Sequence, residues 1–91
     1  MPCSCSGSCP CLWFKFVPPG VAPNPTINPL SYVQFLGVPP FTTGGSGSLA
    51  YIYTCSQITG AGIKPVIDAT LTTTINTAIL TVTSACNVYI V

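Results

Sequence analysis

Threonine alternates with aliphatic residues through the last third of the chain, ATLTTTINTAILTVTSACNVYIV from Ala69 to Val91, and no charged side chain follows Asp68. Val, Ile, Thr and Tyr suit a pleated, half-buried surface because branched or flat side chains pack against cross-strand neighbours. The pattern predicts strands over Thr70 to Ile75, Ala78 to Thr83 and Cys86 to Val91, with a turn near Asn76. Upstream, LWFKFV from Leu12 to Val17 has strand length, and Pro10 before it with Pro18, Pro19 and Gly20 after it confine it to one strand at a sheet edge. SYVQFL from Ser31 to Leu36 predicts another strand.

LAYIYTCSQI, Leu49 to Ile58, alternates so that Tyr51, Tyr53, Cys55 and Gln57 share one side and Ile52, Thr54, Ser56 and Ile58 the other. A turn over Thr59 to Gly62 leads into a short strand, Ile63 to Asp68, broken at Pro65. Between the strands, PPGVAPNPTINP reads as an extended, polyproline-like connection held to the body by Val21 and Ile27, and TTGGSGS, Thr42 to Ser48, as a flexible loop. No stretch shows a convincing helical period, and the strong helix formers are scarce.

Six or seven short strands separated by turns define the expected fold class: all-β, a small β-sandwich or barrel, preceded by an irregular Cys-rich N-terminal segment. The domain organisation follows, with residues 1–11 as the Cys-rich segment and 12–91 as a single β domain, since a chain of this length buries one core. The immunoglobulin signatures do not appear. The interval from Cys55 to Cys86 is short and holds no Trp, and Ser84 stands where a tyrosine corner needs Tyr. Phe14, Val17, Pro18 and Pro19 recur in order as Phe35, Val38, Pro39 and Pro40, an echo that reflects strands ending in similar turns.

Charge changes the picture most. Charged residues make up 3% of the chain, namely Lys15, Lys64 and Asp68, against about 25% in an ordinary globular protein. Net charge near zero promotes association. Two lysines cannot neutralise a phosphate backbone, so no nucleic acid is expected as a partner. Every apolar run is cut by Pro, Gly, Ser or Thr below the roughly 18 residues of a transmembrane helix. The start, MPCSCSGSCPC, lacks the basic and apolar regions of a secretory signal, so a chain complete at Met1 is expected to be made in the cytosol. Catalysis has little to work with: histidine is absent and Asp68 is the sole side-chain carboxylate, which removes His-based triads and paired carboxylates. Asp68 near Lys64 reads as a surface pair or a turn residue. No enzyme is expected.

The sharpest motif is Cys3, Cys5, Cys9 and Cys11, spaced C-x-C-x3-C-x-C. Four thiols separated by small residues can converge on one soft cation, Zn, Cu or Fe, in a tetrahedral site. The spacing resembles the C-x-C pattern of metallothioneins over this segment alone. Metal binding through these four residues is what that resemblance implies; the aromatic, strand-forming remainder departs from the family. Disulfides, within the chain or to neighbouring subunits, account for the cluster equally well. Cys55 and Cys86 fall in expected strands, either buried as small hydrophobes or bridged to each other. Trp13, Phe14 and Phe16 read as core or interface packing.

The expectation that unites these features is a non-enzymatic structural subunit of a symmetric assembly, located in a virion as a capsid-associated decoration or minor structural protein. Its partners would be protein subunits, including copies of itself. The alternatives are an extracellular or surface filament subunit, and a thiolate metal-binding protein built on the N-terminal cysteines.

Overall fold

The computed structural model describes residues 9–37, 39 and 48–90. Five strands, β1 (Cys11–Phe16), β2 (Tyr32–Phe35), β3 (Leu49–Thr59), β4 (Gly62–Pro65) and β5 (Val88–Ile90), join one helix, α1 (Ala69–Thr81). The strand order is β2-β1-β3-β4, with β5 also paired to β3, and every pairing is antiparallel. β3 is the spine. β1 lies along one side of it, while β5 takes the N-terminal half of the other side and β4 the C-terminal half. The sheet curls into a half-barrel with α1 as its partner.

Alternation along the strands creates two faces. Phe14, Phe16, Tyr32, Ile52, Val88 and Ile90 turn inward and form the core with Leu71, Ile75 and Ala78 of α1. Trp13, Tyr53 and Tyr89 turn the other way. Leu49 would fall on the outer side by strict alternation with Ile52, yet both sit in the core. The register shifts between Leu49 and Tyr51, and this bulge carries Leu49 back to the inner face.

The expected strands at Thr70 to Ile75 and Ala78 to Thr83 are absent, and a single α-helix takes their place. The six- to seven-stranded all-β sandwich or barrel therefore gives way to a β-rich half-barrel with one helix. Leu71, Ile75, Ala78 and Ile79 recur at helical spacing and face the sheet. Asp68 caps the start, its carboxylate accepting from Leu71 N–H at 2.8 Å. Threonine is a mediocre helix former because its branched side chain restricts rotation and its hydroxyl competes for backbone partners. Here the hydroxyls of Thr72, Thr73, Thr74 and Thr81 donate to the carbonyls four residues back, those of Asp68, Ala69, Thr70 and Thr77. The polar groups are satisfied without breaking the helix.

The C-terminus closes with Thr83 N–H on Ala78 C=O at 3.1 Å and Val82 N–H on Ile79 C=O at 3.3 Å, the Schellman pattern. Val82 adopts a left-handed conformation at φ 54°, where glycine is the usual residue.

The proline-rich connection is not uniformly extended. It contains two short 3-10 turns, Pro25–Ile27 and Pro29–Ser31, and cis peptide bonds at Pro18-Pro19 and Ala22-Pro23. It is fastened by Ser31, whose buried hydroxyl accepts from Val21 N–H at 2.8 Å, rather than by the exposed Val21 side chain. Gly20 sits at φ +79°, where an added Cβ would lie 2.5 Å from Pro25 Cβ, so the approach requires glycine. The expected loop over Thr42 to Ser48 lies, apart from Ser48, outside the described residues.

Of the two expected roles for Asp68, surface partner of Lys64 or turn residue, the pairing with Lys64 does not occur. Lys64 is buried, and its ammonium donates to Tyr32 C=O at 2.7 Å, whereas Asp68 serves as the helix cap. The outer edge of β5 is also occupied: the Ser84 hydroxyl accepts from Ile90 N–H at 2.8 Å and donates to Ile90 C=O at 3.2 Å.

Candidate functional site

The outer face of the sheet carries an aromatic layer and, at one end, a cluster of sulfur atoms. Trp13 stands opposite Tyr53 across the β1–β3 ladder, with ring centroids 5.1 Å from Tyr53 and 4.6 Å from Tyr89. Phe35 meets Tyr51 edge-on at 5.0 Å. Such pairs add about 0.5–1.5 kcal/mol each beyond the area they bury. A cleft of about 430 Å³ opens beside this layer, lined by Cys11, Trp13, Gln34, Phe35, Leu36 and Tyr53 among others. A second, of about 400 Å³, lies at the end of β3 between Pro10, Leu12, Ile58 and Ile63. Neither is lined by a charged side chain, so both suit apolar or neutral partners.

The cysteine corner follows from strand pairing. Cys11 pairs with Cys55 in register at the start of β1. Cys55 C=O accepts from Val66 on the β4 side, and Ser56 N–H donates to Pro10 C=O on the β1 side. Backbone groups alternate along a strand, so Cys55 faces away from β1 and the Cys11–Cys55 pair is of the non-hydrogen-bonded kind. The chain bends at Cys9, and Cys9 closes a disulfide with Cys55, with Cα atoms 5.5 Å apart. Cys11 Sγ lies 3.9 Å from Cys9 C=O. Cys11 and Cys86 are disulfide-bonded as well.

Of the four sequence-predicted metal ligands, Cys3 and Cys5 fall outside the described residues. Cys9 and Cys11 are in disulfides, and a disulfide sulfur is not the thiolate a soft metal takes. Among the described residues, no group of three or more His, Cys, Asp or Glu side chains gathers to hold a metal ion. A Cys55–Cys86 bridge does not form, because Cys55 is joined to Cys9. The residue that sequence reasoning missed is Cys55 as partner of the N-terminal cluster. The signal was the run of aromatics in both strands: pairing Trp13 with Tyr53 places Cys11 against Cys55.

Electrostatically the exterior is nearly blank. The chain's three charged side chains leave Lys15 and Asp68 exposed, and Lys64 is turned inside. Tyr32 donates its hydroxyl to Thr26 C=O, and burial pushes its phenol above the ordinary tyrosine value. No helix among the described residues is long and apolar enough to cross a membrane.

Fold and site together define a disulfide-fastened β half-barrel backed by one helix. No family model, curated protein or solved structure matches the chain.

Proposed function

We propose that the protein is a non-enzymatic structural subunit of a symmetric protein assembly, with a virion surface as its setting, as a capsid-associated decoration or minor structural protein. One observation carries the reading: the exterior has only two charged side chains, Lys15 and Asp68, and it exposes Leu36, Ile58 and Leu80, each more than four-fifths accessible. A freely dispersed monomer ordinarily keeps its copies apart by charge. Here surface neutrality and large exposed side chains favour coverage by neighbouring subunits. The second reading, an extracellular or surface filament subunit, is favoured by the Cys9–Cys55 disulfide, since such bonds persist where the surroundings are oxidising. Sedimentation velocity and negative-stain microscopy on the non-reduced protein test both. Concentration-dependent, closed particles support the first reading and open fibres the second. A well-behaved monomer at high concentration without partners overturns both.

A further inference from the structure

We infer that Cys55 is a shared disulfide partner that Cys9 and Cys11 can hold in turn, so that attachment of the N-terminal segment to β3 is switched by thiol–disulfide exchange. The inference stands apart from the assembly reading, because it concerns the bonding of one chain to itself.

The geometry places two sulfurs within reach of one. The Cα atoms of Cys9 and Cys55 are 5.5 Å apart in the existing bond, inside the range of about 4.4–6.8 Å that disulfides span. Cys11 is directly opposite Cys55 in a non-hydrogen-bonded pair, where Cα atoms approach to about 4.5 Å. Both side chains point to the outer face, and all three cysteines are partly accessible. The ladder on either side of this pair is continuous, with Trp13 on Tyr53 and Pro10 C=O on Ser56 N–H. Cys11 is therefore presented to Cys55 by the fold itself.

The exchange balances without an oxidant. A dithiol reductant cleaves the existing disulfide of Cys11 in two steps, being oxidised to its own cyclic disulfide, and leaves Cys11 as a thiolate and the cysteine formerly bonded to it as a thiol. That thiolate attacks Cys55 Sγ, the Cys11–Cys55 bond forms, the Cys9–Cys55 bond breaks, and Cys9 departs as a thiolate. The second step moves no net electrons. Its result is that the chain ahead of Cys11 is no longer fastened to β3 through Cys9, while β1 and β3 stay cross-linked.

The test is limited reduction of the intact protein with dithiothreitol near neutral pH, acid quenching, alkylation of free thiols and tandem mass spectrometry to place the label. The expected result is label on Cys9 in excess of label on Cys11, with Cys11–Cys55 cross-linked peptide appearing as Cys9–Cys55 is lost. Label on Cys11 with the Cys9–Cys55 bond intact throughout overturns the inference. A second measurement uses Cys9→Ser: recovery of Cys55 bonded to Cys11 supports the exchange, and a free Cys55 thiol in folded Cys9→Ser protein overturns it.

Discussion

The ammonium of Lys64, on β4, donates to the backbone carbonyl of Tyr32, on β2, at 2.7 Å. These two strands are at opposite ends of the order β2-β1-β3-β4, so the bond crosses the opening of the half-barrel. A lysine performs there what an additional ladder hydrogen bond would do in a closed barrel. Edge strands expose unpaired backbone groups, and this contact occupies one of them with a side chain from the far edge.

Lys64→Met keeps the aliphatic stem but removes the donor. A hydrogen bond to a charged group is worth about 1.5–3 kcal/mol, and the loss should be of that order, read as a lower urea midpoint with little change in slope. Lys64→Glu, which sets a carboxylate against the carbonyl, should be worse.

Tyr32 predicts alkaline sensitivity. Burial raises its phenol above the ordinary value near pH 10, so below that pH the phenol is neutral in both states and its contribution is complete. As pH rises past the ordinary value the unfolded chain ionises first, and stability falls until the folded phenol ionises too. Tyr32→Phe should lose about 1 kcal/mol at pH 7, through the missing bond to Thr26, and show a shallower decline between pH 9 and 12. Chemical unfolding across that range measures both.

The two ends of α1 respond in opposite directions. Asp68→Ala removes the cap on Leu71 N–H and should cost about 0.5–2 kcal/mol, whereas Asp68→Asn should restore most of it. Val82→Gly relieves a left-handed valine and should stabilise by up to about 1 kcal/mol, net of the entropy glycine adds to the unfolded chain. Thermal unfolding of the three variants and wild type gives the order Val82→Gly, wild type, Asp68→Asn, Asp68→Ala.

Breaking the Cys9–Cys55 bond with Cys55→Ala frees a closure of 46 residues. Chain entropy sets the cost at about 4 kcal/mol, with 2–5 kcal/mol typical of a native bridge in a small domain. Guanidinium unfolding of this variant against wild type checks the magnitude.

If the assembly reading holds, Leu36→Lys, Ile58→Lys and Leu80→Lys will lower association without unfolding the subunit. All three side chains are largely exposed, and exposed substitutions away from special features usually change stability by no more than about 0.5 kcal/mol. Unchanged melting with unchanged association for all three would remove these positions from any contact.

Strand type was legible where proline or glycine punctuates a β-branched or aromatic run: β1, β2 and β3 lie within one residue of their expected bounds, and β4 stops at Pro65, three residues short of the expected Asp68. β5 falls inside the expected Cys86 to Val91, whereas β1 lies between β2 and β3 rather than at the expected sheet edge. The helix was not legible, because its polar positions are threonines, and threonine content argued for strand more loudly than Leu71, Ile75, Ala78 and Ile79 argued for a helix. Asp68 is the single residue that could have reversed the reading. An Asp just ahead of an apolar-periodic run is a cap signal, and reading it as a surface partner of Lys64 or a turn residue concealed that. For the cysteines, C-x-C spacing by itself did not distinguish a metal cluster from a staple. The choice depends on β3, more than forty residues away, arriving beside β1.

The threonine hydroxyls of α1 have a consequence for what its outer surface can recognise. Four of its six hydroxyl hydrogens, those of Thr72, Thr73, Thr74 and Thr81, are spent on backbone carbonyls of the helix and its cap, which leaves oxygen lone pairs and methyl groups at those positions. At those four positions a surface that looks hydroxyl-rich in the sequence accepts hydrogen bonds and gives none. A partner bringing N–H or O–H groups meets acceptors at those four positions, and one offering carbonyls meets donors at Thr70, Asn76 and Thr77.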